Sequence, residues 1–364
     1  MIKILQVLPN LEIGGVERSA IQTAIAIKNN KMIPIVISNG GKMVKELNDE
    51  NIQHIKLWVH SKNPLIILVN AFILILIILL KNINIIHARS RAPAWSCWIA
   101  CKLTGCIFVT TFHGFYSGYN NFLKNRYNKI MTYGEKTIVS TNFMKKHLIE
   151  NYKLNPEKII IIPRGVNTNN FKNIKQERIN VLKKKYNIKS QKVITLPGRL
   201  TDWKGQKIFL KAIKILDKNN YKFLIIGSGS SKYKKELNDF IKKYDLNVII
   251  DEKCEDIPAL YQLSDIIVSA STNNETFGRV SVEGQASGKV VIATNIGGSK
   301  ETIINNKSGI LIEPNNPKIL AEKIKYVLNN NINLRKNAIE NSKKFDISTF
   351  ETNVINFYKL LIKN

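Results

Sequence analysis

Residues 269–302 read SASTNNETFGRVSVEGQASGKVVIATNIGGSKET, and this stretch decides the fold class. The apolar residues 266–268 before it predict a buried strand, and a polar loop follows. Residues 277–287 then predict a helix that stops at Gly288, and residues 290–293 predict a second buried strand. This order is one unit of a doubly wound α/β sheet, in which ligands bind at the carboxyl ends of the strands.

Two carboxylates follow the first of these strands, Glu275 in the loop and Glu283 in the helix. Gly278 lies between them and lets backbone amides at the helix start approach a ligand, where anionic or hydroxyl oxygens are favoured. Carboxylates beside such amides suit a sugar, because sugar hydroxyls need acceptors. The structural alternative is a capping acid followed by a surface glutamate.

The stretch resembles the retaining nucleotide-sugar glycosyltransferases of family 4, because E-x7-E is followed by ASGKVVIAT and then by GG-x-x-E, which ends at Glu301. The resemblance covers nearly the whole chain and implies a GT-B fold, two Rossmann-like doubly wound α/β domains facing across a cleft. It implies that Glu275 orients the donor sugar and that Glu283 accepts from the ribose hydroxyls. Phe277 and Gly278 are expected to bind the donor beside them.

Arg199 and Lys204 lie in G-R-L-T-D-W-K-G, around a predicted strand-to-helix turn. Arg gives a forked contact and Lys a point charge, so the pair can hold a diphosphate from two sides. The alternative, a basic helix N-terminus, is electrostatically unfavourable. In the family such a pair neutralises the leaving diphosphate, which implies a catalytic role for both. Gly229, in a G-S-G turn, and Ile257, near the expected base-binding turn, complete the predicted donor site.

Gly14 and Gly15 follow the first predicted strand and precede a helix. Alone, the pair is a weak phosphate-loop signal that a plain tight turn explains equally well. The resemblance implies that this turn approaches the donor diphosphate. It also implies a catalytic place for His113 in T-F-H-G, although a lone His is more often a satisfied polar residue. The turn HARSRAPAW, residues 87–95, is expected to dock an acceptor or to be a helix entry with surface arginines.

Residues 65–80, LIILVNAFILILIILL, contain one polar side chain, Asn70. A spanning helix needs about twenty apolar residues, so the run is short for crossing a bilayer. One interpretation is a helix packed on the sheet. Because a helix apolar all round has no solvated face, the other is a helix that also touches an anionic membrane surface or a partner. Ile73 and Ile77 share one face of it, either membrane-bound or buried.

A chain of 364 residues exceeds one ordinary core. We expect an acceptor-side domain over 1–165 and a donor domain over 166–346, with a final helix in 347–364 that packs back on the first. The net charge of +28 favours polyanionic partners, but no nucleic-acid motif accompanies it, so no nucleic acid is expected. The four cysteines lack zinc spacing and indicate free thiols in a reducing cytosol.

The predicted function is retaining, metal-independent transfer of a sugar from a nucleoside-diphosphate sugar to a hydroxyl of an envelope glycan or glycolipid, of lipopolysaccharide-core or capsule type. We expect no cofactor and no metal beyond the donor substrate. The N-terminus lacks a signal peptide, which favours a cytoplasmic enzyme, peripheral on the inner face of the plasma membrane. The alternatives are a GT-B phosphorylase or sucrose-type synthase, and a non-catalytic sugar- or lipid-binding scaffold. The sequence leaves the sugar, the base, the acceptor and the oligomeric state open.

Overall fold

The structure is a computed structural model that describes residues 1–116, 121–216, 220–330 and 332–363. The chain divides into two compact units. The first consists of Met1–Gly165 and Ile347–Asn364, and the second of Val166–Asp346.

The first unit alternates strands and helices along its first 165 residues. The elements are β1 (Lys3–Val7), α1 (Gly15–Asn29), β2 (Ile33–Ser38), α2 (Val44–Asp49), β3 (Gln53–Lys56), α3 (Pro64–Lys81), β4 (Ile85–Ala88), α4 (Arg91–Thr104), β5 (Ile107–Thr111), α5 (Phe122–Lys129), β6 (Lys136–Val139), α6 (Asn142–Tyr152) and β7 (Ile159–Ile161). The seven strands form one parallel sheet in the order β3-β2-β1-β4-β5-β6-β7.

The second unit repeats this plan with a six-stranded parallel sheet. Its elements are α7 (Gln176–Lys185), β8 (Lys192–Pro197), α8 (Gln206–Ile213), β9 (Tyr221–Ile226), α9 (Ser231–Lys243), β10 (Val248–Asp251), α10 (Ile257–Leu263), β11 (Ile266–Ser269), α11 (Arg279–Ala286), β12 (Val290–Thr294), β13 (Ile310–Ile312), α12 (Pro317–Asn329) and α13 (Arg335–Lys343). The strand order is β10-β9-β8-β11-β12-β13. The last helix of the chain, α14 (Ile347–Lys363), belongs to the first unit.

Both sheets reverse their strand order at one place, between β1 and β4 in the first unit and between β8 and β11 in the second. In parallel sheets of this kind the chain leaves such neighbouring strands in opposite directions, which opens a crevice at their carboxyl ends. The segments that follow these four strands are therefore the places to look for a binding site in each unit.

Helix α14 completes the core of the first unit. Its Val354 and Tyr358 are buried against Ile4 of β1 and Ile85 of β4. The hydroxyl of Tyr358 lies 2.6 Å from Nδ1 of His87. The end of the chain thus closes a sheet made largely by its beginning.

Capping residues define both ends of helix α3. The side chain of Asn63 accepts a hydrogen bond from the amide of Leu65, Pro64 occupies the first turn, and Asn82 ends the helix in the left-handed conformation. The single polar residue of the run, Asn70, is buried and donates to the carbonyl oxygen of Trp58 at 3.0 Å.

One face of α3 is packed and the other is exposed. Among the described residues it is the one helix long and apolar enough to cross a membrane, and 22% of it is buried. Ile77 packs against the core and Ile73 is half-buried, so neither marks the outer face. The outward stripe follows helical spacing and consists of Leu65, Leu68, Val69, Phe72, Leu76, Leu79 and Leu80.

Candidate functional site

The strongest cluster of predicted site residues lies where β8 and β11 end. After β8 the chain turns through a short 3-10 helix that ends at Lys204, and after β11 it forms the loop that carries Glu275. Nζ of Lys204 lies 2.8 Å from Oε1 of Glu275, with side chains 17% and 11% exposed. The hydroxyl of Ser271 donates to the same carboxylate oxygen. The amide of Thr272 donates to the carbonyl oxygen of Trp203 at 2.8 Å, which ties the two loops together.

Backbone contacts fix the loop of Glu275 from the other side. The amide of Gly298 donates to the carbonyl oxygen of Glu275 at 2.6 Å. Gly278 opens α11 with a φ of +95°, and a Cβ there would lie 2.8 Å from Cα of Ser299. Glycine is therefore required at this position for both its conformation and its close contact. The first amides of α11 lack intrahelical acceptors, so the helix N-terminus beside Glu275 favours anionic groups.

Glu283 is held by two side chains of the second unit. Its Oε1 accepts from Nε of Arg279 at 2.7 Å, and its Oε2 accepts from the hydroxyl of Tyr261 at 3.0 Å. Burial, and then the adjacent carboxylate, hold the pKa of Tyr261 well above its usual range, so the hydroxyl remains a donor. Each carboxylate oxygen keeps a second lone pair for a further hydrogen bond.

The other predicted donor residues of this unit differ in what they can offer. Phe277 is buried and packs edge-on against Phe345 at 5.5 Å, so its side chain belongs to the core. Ile257 begins α10, the helix of Tyr261, and also packs in the core. Gly229 is exposed, but a Cβ there would meet Cβ of Leu200 at 2.5 Å, so packing explains this glycine.

Arg199 lies two residues after the end of β8 and is exposed. Its backbone is fixed, because Nε2 of Gln206 donates to its carbonyl oxygen at 2.9 Å. Across the described ranges its guanidinium forms no salt bridge, unlike the ammonium of Lys204. The side chain thus keeps its fork of donors for a ligand.

In the first unit the glycine pair opens α1. Gly14 is extended with a φ of −170°, so its conformation does not require glycine. The reason is space: a Cβ on Gly15 would lie 3.0 Å from Nη1 of Arg164. No side chain caps the N-terminus of α1 with a hydrogen bond, and the Glu17 carboxylate and the Arg164 guanidinium both lie beside the glycine pair.

His113 follows β5 and is partly exposed. Its carbonyl oxygen accepts from Nη2 of Arg164 at 3.0 Å. Burial lowers the pKa of His113 well below its usual range, and the charges of Arg164 and Arg89 add to the effect. The imidazole is therefore neutral at pH 7 and can exchange hydrogen bonds with a hydroxyl group.

The alternative for the 87–95 turn, a helix entry with surface arginines, is wrong for Arg89, which is 3% exposed. Its Nε donates to Oε1 of Gln6 at 2.7 Å, and its Nη2 donates to Oγ1 of Thr23 at 2.7 Å. The sheet order explains the error. Strand β4 lies beside β1, so Arg89 at the carboxyl end of β4 is covered by Ser19 and Thr23 of α1.

Sequence reasoning also missed Tyr261, Ser271 and Arg164. Ser271 had a signal, since it lies in the polar loop after β11, four residues before its partner. Tyr261 and Arg164 had none, because their partners are remote in sequence.

Two family profiles match the chain, one in each half. Glycosyltransferase Family 4 matches residues 13–170, and Glycosyl transferases group 1 matches residues 178–345. A solved glycosyltransferase from Rickettsia africae ESF-5 is 41% identical, with a TM-score of 0.92 over 100% of this chain and 99% of that one. The chain is a family 4 glycosyltransferase.

Two further proteins resemble this glycosyltransferase at lower sequence identity. The capsular polysaccharide biosynthesis glycosyltransferase CapM of Staphylococcus aureus is 28% identical over 65% of this chain and 64% of that protein. Anabaena Alr3699/HepE, solved in complex with UDP-glucose, has a TM-score of 0.86 at 21% identity, over 99% of this chain and 100% of that one. The predicted GT-B fold class is confirmed.

No group of three or more His, Cys, Asp or Glu side chains in the described part of the glycosyltransferase could hold a metal ion. All four cysteines are free thiols. That the enzyme needs no metal and no cofactor stays a prediction.

Proposed function

We propose that this glycosyltransferase moves a sugar, with retention and without a metal, from a nucleoside-diphosphate sugar to a hydroxyl of an envelope glycan or glycolipid. The observation that carries the proposal is the contact between Lys204 and Glu275 at the reversal point of the second sheet. It puts a cation for a diphosphate and a carboxylate for sugar hydroxyls side by side. The UDP-glucose complex of HepE supports a donor of this class for the shared fold.

In this mechanism the main task is to stabilise the departing diphosphate. Lys204, the exposed fork of Arg199 and the amides that begin α11 at Gly278 supply positive charge before the bond breaks, so they need little reorganisation in the transition state. Glu283 would accept from the ribose hydroxyls through its remaining lone pairs.

Glu275 would bind hydroxyls of the transferred sugar, with its position fixed by Ser271 and Lys204. His113, neutral at pH 7, would hydrogen-bond a hydroxyl near the reacting carbon. Gly14 and Gly15 would bring the amides that begin α1 to the diphosphate, beside the guanidinium of Arg164. None of these groups is assigned as a nucleophile.

Replacing Glu275 with Gln tests the function. The change keeps the shape and removes the charge, so turnover should fall about 100-fold or more while nucleoside-diphosphate affinity stays the same or rises. Release of nucleoside diphosphate from a panel of nucleotide sugars gives turnover, and calorimetry gives affinity. The matched control is Asp202→Asn, an exposed carboxylate in the same turn as Lys204.

Three outcomes would redirect the assignment. Equal losses of turnover and affinity would mean that Glu275 holds the nucleotide or the fold. A wild-type protein that releases no nucleoside diphosphate from any donor would indicate a binding scaffold. Release that depends on inorganic phosphate or on a free sugar would favour the phosphorylase or sucrose-type alternative. Proton NMR of the product's anomeric hydrogen tests retention, and activity in EDTA tests independence from metal.

We further propose that the enzyme is cytoplasmic and rests on an anionic membrane through α3. The outward stripe of this helix is apolar, Lys62 and Lys81 flank it, and the chain carries a net charge of +28. An apolar face with basic flanks suits a leaflet of anionic lipids. The capsular function in the name of CapM agrees with an envelope acceptor, which is assembled at a membrane.

The stripe can be tested without adding charge. Leu68→Gln with Phe72→Gln should abolish sedimentation with phosphatidylglycerol vesicles at low salt while the protein stays folded, because both side chains are exposed. Val181→Gln with Ile304→Gln, two exposed apolar residues of the second unit, is the control. A wild-type protein that ignores anionic vesicles would end the membrane proposal.

A further inference from the structure

The first unit contains a small cavity at the point where its strand order reverses, lined by polar side chains and by apolar ones such as Phe112, Ile138 and Val354. The cavity measures about 20 Å³, enough for one oxygen-sized group. Its floor is made by Arg89, His87 and Thr23, all almost fully buried. Its rim includes His113 and Arg164, which are partly exposed, so the cavity opens at the carboxyl ends of the strands.

Arg89 carries a buried charge that no described residue of the chain neutralises. Its partners in the described parts of the chain are Gln6, Thr23, Ser19 at 3.3 Å and Tyr358, and none is a carboxylate. Burial lowers the pKa of Arg89 to about 10, which still leaves the guanidinium charged at pH 7. A buried charge without a counter-charge is costly, and ionisable groups perturbed by burial cluster at functional sites.

The surroundings of Arg89 add positive potential rather than cancel it. Arg164 lies close enough to lower the pKa of Arg89 further. His87 is held neutral by burial and lies 2.6 Å from the hydroxyls of Tyr358 and Thr111, so it adds no charge beside Arg89. The guanidinium of Arg89 has five N–H donors, of which its four partners use at most four. At least one donor remains for a ligand.

We propose that this cavity binds an oxygen of a phosphate-type oxyanion carried by a substrate, with Arg89 at its floor and Arg164 at its rim. Phosphate binding by the cavity does not depend on the proposed function, but the identity of the molecule that carries the oxyanion rests on it. That molecule is either an acceptor with its own phosphate or the donor diphosphate. All residues that line the cavity belong to the first unit, whereas Lys204 and Glu275 belong to the second.

Inorganic phosphate is the probe, titrated by calorimetry into the full-length protein at constant ionic strength. Arg89→Gln should weaken phosphate binding at least tenfold, because a neutral amide replaces the cation at the floor. Arg164→Gln should weaken it severalfold and decides the test if the first variant does not fold. Arg91→Gln is the matched control, since it removes the same charge two residues away, from a side chain stacked on Tyr116 and bonded to Asn128.

A separate variant distinguishes this site from the donor site. Lys204→Ala should leave phosphate affinity for the first unit unchanged while it weakens nucleoside diphosphate. If phosphate affinity falls in Lys204→Ala but not in the Arg89 or Arg164 variants, phosphate binds only at the donor site and the inference is overturned. A wild-type protein that does not bind phosphate, or an Arg91→Gln variant that loses as much affinity, overturns it too. If neither the wild type nor any variant binds a nucleoside diphosphate, the proposed function is contradicted and the inference about the cavity is not.

Saturation with UDP identifies the carrier of the oxyanion. Phosphate binding that persists in UDP and depends on Arg89 assigns the cavity to the acceptor. Phosphate displaced by UDP from wild type and from Lys204→Ala alike assigns it to the donor diphosphate.

Discussion

Replacing Lys204 with Ala is the sharpest test of the donor site. The ammonium of Lys204 lies 2.8 Å from the Glu275 carboxylate, and its side chain is 17% exposed. The substitution has two effects on a bound diphosphate. It removes a cation that would contact the phosphate oxygens, and it leaves the negative charge of Glu275 without its ion-pair partner in the same site.

The magnitude follows from this environment. A hydrogen bond to a charged group contributes roughly 1.5–3 kcal/mol, and the low exposure of the two side chains weakens screening by solvent. Repulsion from the uncovered carboxylate acts in the same direction. At about 1.4 kcal/mol for each factor of ten, nucleoside-diphosphate affinity should fall roughly 10- to 100-fold.

Calorimetry with the nucleoside diphosphate that binds wild type most tightly measures this loss. Lys207→Ala is the control, because this lysine lies one helical turn away, pairs with Glu236 and is 41% exposed. Its loss should change affinity less than threefold. The double variant Lys204→Ala, Glu275→Gln should recover part of the affinity, since it removes the unpaired carboxylate. Unchanged affinity in Lys204→Ala would refute the assignment of the donor site.

Two further predictions concern stability. Folding keeps His87 and His113 neutral, so the unfolded chain binds more protons than the folded protein below about pH 6.5. The free energy of unfolding should therefore fall as pH decreases from 7 to 5.5, by up to about 2.7 kcal/mol per pH unit for the two groups together. The decrease should level off once the pH lies below the pKa values of the two histidines in the folded protein. Urea unfolding at several pH values measures this, and a flat profile would contradict neutral imidazoles. Gly278→Ala should lower the free energy of unfolding by roughly 1–3 kcal/mol, because alanine is strained at a φ of +95° and its Cβ meets Ser299. Gly114→Ala, with nothing within 4 Å of its Cβ, should cost far less in the same urea titration, and equal costs would contradict the reasoning.

Much of the fold could be predicted because its strands are buried on both faces. Such strands are nearly continuous apolar runs, as in β2 and β9. Helix α2 was not predicted, since its six residues, Val44–Asp49, are too few for a helical period to stand out. The hydropathy of α3 was clear, but an almost uniformly apolar helix gives no pattern from which to choose its buried face. Its outer face therefore became visible only from its packing on the core.

The candidate site was predictable in its residue types and not in its pairings. A motif can nominate Lys204 and Glu275, but the two are 71 positions apart, and only the strand order brings them together. The burial of Arg89 had no sequence signal, because an arginine after a strand is ordinarily exposed. Arg89 is buried by contacts with Tyr358, near the end of the chain, and with Thr23 of α1, and both are remote from it in sequence.

The place of α14 sets an order of events during synthesis. The second unit is inserted between residues 165 and 347 of the first, so a ribosome completes it before the last helix of the first unit exists. Until then, Ile4 and Ile85 are not covered by Val354 and Tyr358. The parallel sheet of the first unit therefore keeps apolar side chains exposed until α14 has been synthesised. Parallel sheets fold slowly and are prone to aggregate while incomplete. A nascent chain halted before residue 347 should therefore contain a folded second unit and a first unit that chaperones still bind.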